Sequence, residues 1–249
     1  MKKVDPEDIL YKKASKLDII CKFLFIVNVL ISFILFIYEM EFMFTIEIII
    51  ALVYLLFKIL NDHYFWYEAE KERRKDNISN GFNVEISEEK TEGYYNNKFE
   101  PSFKKYVANV FESNYFSREI SKRMIIYAAF KCLFVLVIFI IAALSYLSNN
   151  IVLAIVQVLF SAEVIEEAIS IICYYFKINS LYEKARNELV TVGIVTKNQY
   201  VWLFEYCMEY ENIKSYYKVR LDTKIYDKLN EELSNNWSKI EKQIKFDAN

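Results

Sequence analysis

Glycine and proline are scarce, with three and two copies in 249 residues. Strand-rich folds depend on both for tight turns, so such a fold is excluded and the chain reads as all-α. Histidine is rarer still. His63 is the only one, so a Ser-His-Asp arrangement or a site needing several imidazoles would have to be built around this one residue. In "NDHYFWY" it lies among Tyr64, Trp66 and Tyr67, an aromatic belt of the kind found where a helix leaves a bilayer. Cys21, Cys132, Cys173 and Cys207 are far apart and form no C-x-x-C pair. Neither a zinc site nor a disulfide framework follows, and the thiols suit a reducing compartment. An excess of one charge is also lacking. A net charge of -2 argues against holding a nucleic-acid duplex by bulk electrostatics. No catalytic constellation is present and no cofactor or metal is called for, which places an enzyme last among the function classes.

What is abundant is apolar and aromatic surface, at 55% and 17% of residues. Four runs, residues 18–38, 42–60, 124–147 and 151–176, come near or above the ~20 helical residues that cross a bilayer. The first is followed by no small-x-small cleavage site and reads as a retained anchor. Lysine and arginine flank the runs unevenly. Lys2, Lys3, Lys12, Lys13 and Lys16 precede the first, and Lys71, Arg73, Arg74, Lys75, Lys104, Lys105, Lys122 and Arg123 lie between the second and third. The links "EME" and "SNN" carry none. The expectation is a four-span helical membrane protein with cytosolic helical extensions, in the inner (cytoplasmic) membrane with both termini cytosolic.

This divides the chain into a cytosolic N-terminus (1–17), a first transmembrane hairpin (18–60), a cytosolic stalk, loop and amphipathic helix (61–123), a second hairpin (124–176) and a cytosolic helical tail (177–249). "FWYEAEKERR" and "SLYEKARNEL" follow the second and fourth runs in similar register, the pattern of a weak parallel repeat. The stalk is expected to end near Lys75, giving way to a polar loop, "DNISNGFNVEISEEKTEGYYNN". Pro101 then opens a helix whose Phe103, Val107, Val110 and Phe111 share one face. Gly193 is expected to end the helix after the fourth run. In the last segment Ile225, Leu229, Leu233, Trp237 and Ile240 form a stripe at spacings of three and four, fit for an oligomer contact or for docking on the chain itself.

The fourth run contains "FSAEVIEEAIS", which puts Glu163, Glu166, Glu167 and Ser170 on one side of an apolar helix. A charge in hydrocarbon costs at least ~2.5 kcal/mol, so that stripe must face protein or water. Lys131 in the third run is a candidate ion-pair partner for Glu166 or Glu167, and Glu47 in the second run lies at a depth like that of Glu163. An interhelical network with Gln157 and Asn28 is one reading, and a carboxylate-lined cation pathway in an oligomer is the other. In the cytosolic segment Arg73, Arg74, Asn80, Tyr94 and Tyr95 form a candidate ligand site, since guanidiniums hold phosphate and aromatic rings stack on bases. A solvated face beside anionic lipid is the plainer alternative.

The layout of hairpin, "RRKDNISNGF" segment, second hairpin and helical tail resembles the four-transmembrane effectors of bacterial anti-phage systems of the CBASS type, chiefly over Arg73 to Tyr95. That resemblance implies a cytosolic site, with a cyclic oligonucleotide as ligand, homo-oligomerisation and damage to the membrane. A membrane-anchored sensor or scaffold that recruits a cytosolic protein partner, with no pore, remains the alternative. Membrane lipids are partners under either reading.

Overall fold

The structure is a computed structural model that describes residues 7–38, 41–86, 95, 97–146, 151–194 and 196–246. It is all-helical, and no strand occurs among the described residues. In chain order the helices are α1 (Glu7–Ile37), α2 (Glu41–Leu60), a π-helical turn (Asn61–Phe65), α3 (Trp66–Phe82), α4 (Phe103–Tyr146), α5 (Ile151–Arg186), a second π-helical turn (Asn187–Val192), α6 (Lys197–Tyr217) and α7 (Thr223–Glu241). Two compact units result. An apolar unit takes Pro6–Glu72 and Lys131–Glu166, and a polar unit takes Arg73–Phe130 and Glu167–Asn249. Among the described residues, the continuous helix Glu41–Phe82 is long and apolar enough to cross a membrane, and only 11% of its most apolar window is buried.

In the apolar unit α1 packs on α2 along a seam that repeats every seven residues. Among the described residues Ala14, Cys21, Asn28 and Leu35 of α1 are buried at seven-residue spacing, with Ser32 buried beside them, and Glu47, Tyr54 and Asn61 are buried on the facing helix. A strict seven-residue repeat keeps one narrow seam turned to the partner, which aligns two helices at a shallow crossing angle. Hydrogen bonds set the register. Asn28 Nδ2 donates to the Glu47 carbonyl at 3.1 Å, and fourteen residues later on the facing helix, fourteen earlier on α1, Asn61 Nδ2 donates to the Ala14 carbonyl at 3.0 Å. Around this seam the large side chains point outward, Phe23 at 64% exposure and Leu52 at 61%. The seam is polar and small; the periphery is apolar and bulky.

The polar unit is organised on the first part of α4. Val107, Ala108, Asn109, Val110, Phe111, Glu112, Asn114 and Tyr115 are all buried, so this segment is enclosed on every side rather than on the one apolar face expected. Its polar positions are tolerated because they find partners, Asn114 donating to the Tyr206 hydroxyl at 3.1 Å and Ser117 bonding Tyr210 at 3.2 Å. The stalk expected to end near Lys75 continues as helix to Phe82, and "DNISNG" is part of it rather than a loop. Asp76, Asn77 and Ser79 are buried there, so contacts with the protein outweigh their weak helix propensity.

Gly81 permits this packing. A Cβ at position 81 would lie 2.8 Å from the Tyr106 Cβ and 2.9 Å from its Cα, and the Gly81 carbonyl accepts from the Ser102 amide at 2.8 Å. Gly81→Ala must therefore move α3 off α4. A loss of about 1–3 kcal/mol is expected, read as a lower denaturant midpoint, whereas Gly193→Ala would act through its backbone, whose φ is 86°.

Gly193 ends the segment after α5, and Thr196 starts α6 with a reciprocal cap, its hydroxyl accepting from the Gln199 amide while the Gln199 side chain accepts from the Thr196 amide. The stripe of α7 is used inside the chain. Leu233 and Trp237 are buried, Ile225, Leu229 and Ile240 are half-buried, and the Trp237 ring meets Phe111 and Tyr115 at centroid distances of 5.6 and 6.4 Å. Of the two uses expected for this stripe, the structure shows docking on its own chain.

Candidate functional site

Of the polar residues named from sequence in the apolar runs, Glu47 has the most fully described surroundings. Glu47 is fully buried in the α1–α2 seam, where the Ser32 hydroxyl donates to its Oε1 and Asn28 holds its carbonyl. Asn28 therefore belongs to Glu47, which corrects the expectation that it would serve the stripe of the fourth run. Among the described residues, Glu47 Oε2 and Asn28 Oδ1 are buried with no hydrogen-bond partner. Lys131 on α4 and Glu166 and Glu167 on α5 are exposed. The side chains of Glu163 and Gln157 lie outside the described residues.

Packing engages two members of the candidate cytosolic ligand site, Arg73 and Asn80. Arg73 is 5% exposed, and its guanidinium donates to the Glu211 carboxylate of α6. Asn80 Oδ1 accepts from Asn109 Nδ2 at 3.0 Å, and Asn109 Oδ1 accepts from Asn97 at 2.6 Å. Two residues expected to face a ligand are thus engaged in joining α3 to α4 and α6. Buried polar groups are satisfied inside the protein wherever they can be, and here each finds another helix. Arg74 and Tyr95 are half-buried, and Tyr94 lies outside the described residues.

A groove not foreseen from sequence opens on the polar unit. Its volume is about 340 Å³, and Tyr115, Arg118, Tyr182, Glu183, Arg186 and Asn236 are among its lining residues. Arg118 organises one wall, donating from Nε to Asn179 at 2.7 Å and from its two terminal nitrogens to Glu119 and Glu183, each at 3.0 Å. Its guanidinium carbon also lies 4.6 Å from the centre of the Tyr182 ring. The lining comes from α4, α5 and α7, whose residues are more than a hundred positions apart at the extremes, so no local motif announces it. Arg118 is already held by two carboxylates, whereas Arg186 in the same lining is exposed.

The titratable groups of this unit point to structure rather than proton transfer. Burial pushes the Cys207 thiol well above its ordinary value, so it is a neutral thiol near neutral pH. Burial likewise pushes the Tyr182 hydroxyl from 10.0 up to about 12, against the opposing pull of Arg118. Tyr106 and Tyr206 are raised in the same direction by burial. A phenol whose folded pKa exceeds its unfolded value contributes stability that is fully present below about pH 10 and lost as pH rises toward 12. Alkaline titration followed by tyrosinate absorbance is therefore expected to show a late, cooperative step coincident with loss of helix, and Tyr182→Phe should move that step upward. Among the described residues no cluster of three or more His, Cys, Asp or Glu side chains could hold a metal ion.

No protein-family profile matches this chain, and neither a curated protein nor a solved structure matches it.

Proposed function

We propose that the chain is a four-span protein of the cytoplasmic membrane, with both termini cytosolic, that self-associates and makes the membrane ion-permeable in response to a cytosolic signal. One observation carries this reading. Glu166 is exposed on the chain's own surface in a segment whose neighbours include large apolar side chains such as Ile169, at 54% exposure. Lipid suits the apolar side chains and penalises the carboxylate, so a second copy of the same face, or water held between copies, is the environment that satisfies both. The lysine and arginine asymmetry supplies the orientation. Anti-phage defence enters through the architectural resemblance, as the setting in which such permeabilisation stops growth.

The test follows membrane potential in cells expressing the protein. Reporter fusions at Asn249 and near Gly81 are expected to report the cytosol, and cross-linking in membranes should trap multimers. Glu166→Gln should leave expression and insertion unchanged while lowering ion flux several-fold. Unchanged flux would remove the carboxylates from the pathway, and a fusion at Asn249 reporting the far side would end the topology.

A second reading is favoured by the internal use of Arg73, Asn80 and α7. With these residues engaged in packing, the polar unit is a self-contained helical module, suited to a sensor or scaffold anchored by the spans. That reading expects an intact membrane potential and capture of a cytosolic partner by the polar unit.

A further inference from the structure

Two independent contacts place the end of α6 beside the membrane ends of α4 and α5. Asn114 bonds Tyr206 and Ser117 bonds Tyr210, so α4 and α6 run in the same direction. At ~1.5 Å per residue on both helices, the step from Tyr210 to Tyr217 is matched on α4 by the step from Ser117 to Met124. Met124 is where the third apolar run begins. On the other side, the Tyr217 ring meets Tyr174 of α5 at 6.4 Å, three residues before the fourth run gives way to Lys177. Both neighbours thus assign Tyr217 the same depth, the boundary between apolar and charged sequence.

The chain reverses there. Lys218 adopts a left-handed conformation, with φ of 50°, and closes α6 by donating a hydrogen bond from its backbone N–H to the Lys214 carbonyl. Tyr216 is 79% exposed just before the reversal, and Phe176 is 63% exposed beside Lys177. Among the described residues this level carries the exposed bases Lys122, Arg123, Lys177 and Lys218, while the Asp222 carboxylate caps α7. Exposed aromatic rings set among basic side chains match the chemistry of a headgroup layer, with rings at the carbonyl level and cations at the phosphates.

We propose that the α6–α7 connection, residues 216–222, sits in the headgroup layer and binds anionic phospholipid, fastening the polar unit to the bilayer at a point remote in sequence from the spans. The proposal rests on the four-span reading and adds a contact that this reading does not require.

The experiment uses full-length protein in nanodiscs of phosphatidylglycerol and phosphatidylcholine. Tyr216→Trp, a change at an exposed position, should gain fluorescence over the parent, and lipids brominated close to the glycerol should quench that gain. Lys177→Gln with Lys218→Gln should lower the enrichment of phosphatidylglycerol around the protein by up to roughly five-fold per charge removed. Inorganic phosphate at matched ionic strength should leave the enrichment in place. An integral protein whose residue 216 is not quenched overturns the proposal while sparing the four-span reading. Quenching without charge-dependent enrichment overturns the anionic-lipid assignment, and displacement by inorganic phosphate makes the site a phosphate site instead. Extraction of the wild-type chain by alkaline carbonate removes the four-span reading and this proposal together.

Discussion

Arg73→Met is expected to destabilise the polar unit by about 3–5 kcal/mol, because it strands the Glu211 carboxylate in a place built for a pair. The two side chains are 6% and 12% exposed, so solvent cannot take over the role of either partner. The reverse change, Glu211→Leu, strands the guanidinium and should cost a similar amount. The double variant Arg73→Met/Glu211→Leu should recover most of the loss, since two apolar groups of similar bulk remove both desolvation penalties at once. Denaturant melts of the four proteins complete the cycle. If Arg73→Met alone is neutral, the guanidinium is exposed in solution and available to a ligand, which would restore the site expected from sequence.

Trp237→Ala is expected to have the second large effect. Its indole is fully buried between Phe111 and Tyr115, and truncating such a ring costs about 3–5 kcal/mol through lost burial and the cavity left behind. Amide exchange should show α7 opening before the rest of the polar unit, since apart from Leu233 its other stripe residues, Ile225, Leu229 and Ile240, are only half-buried. Trp237→Phe should keep α7 docked at a smaller loss. The multimeric state should not change with either variant, because the stripe faces inward. A variant that keeps its stability but loses assembly would show that the α7 stripe makes contacts between copies.

The all-helical class was readable from composition, and for a local reason. Few glycines and prolines, with long uninterrupted apolar periodicity, leave a chain little choice but helix. Helix ends were readable where the signal was local as well: Gly193 in a conformation with positive φ, and Thr196 with Gln199 three residues later, mark their boundaries without reference to the rest of the fold. The end of α3 was not. "DNISNG" has the composition of a turn, and only the burial of Asp76, Asn77 and Ser79, with Gly81 against Tyr106, holds it helical.

Charge placement shows the same division. Sequence alone shows that Glu47, Glu166 and Glu167 lie in apolar runs, where an ionised carboxylate needs a partner or water. Which partners they receive is decided by helix register. The α1–α2 seam turns Glu47 toward Ser32 and Asn28. Arg73 and Glu211 are 138 positions apart, a separation at which no periodicity carries information. By itself the sequence determined helix, apolar runs and the uneven placement of lysine and arginine, all properties of residues and their near neighbours. The tertiary structure alone decided which polar groups are consumed inside the protein, because a hydrogen bond or ion pair between distant helices exists only once both are packed.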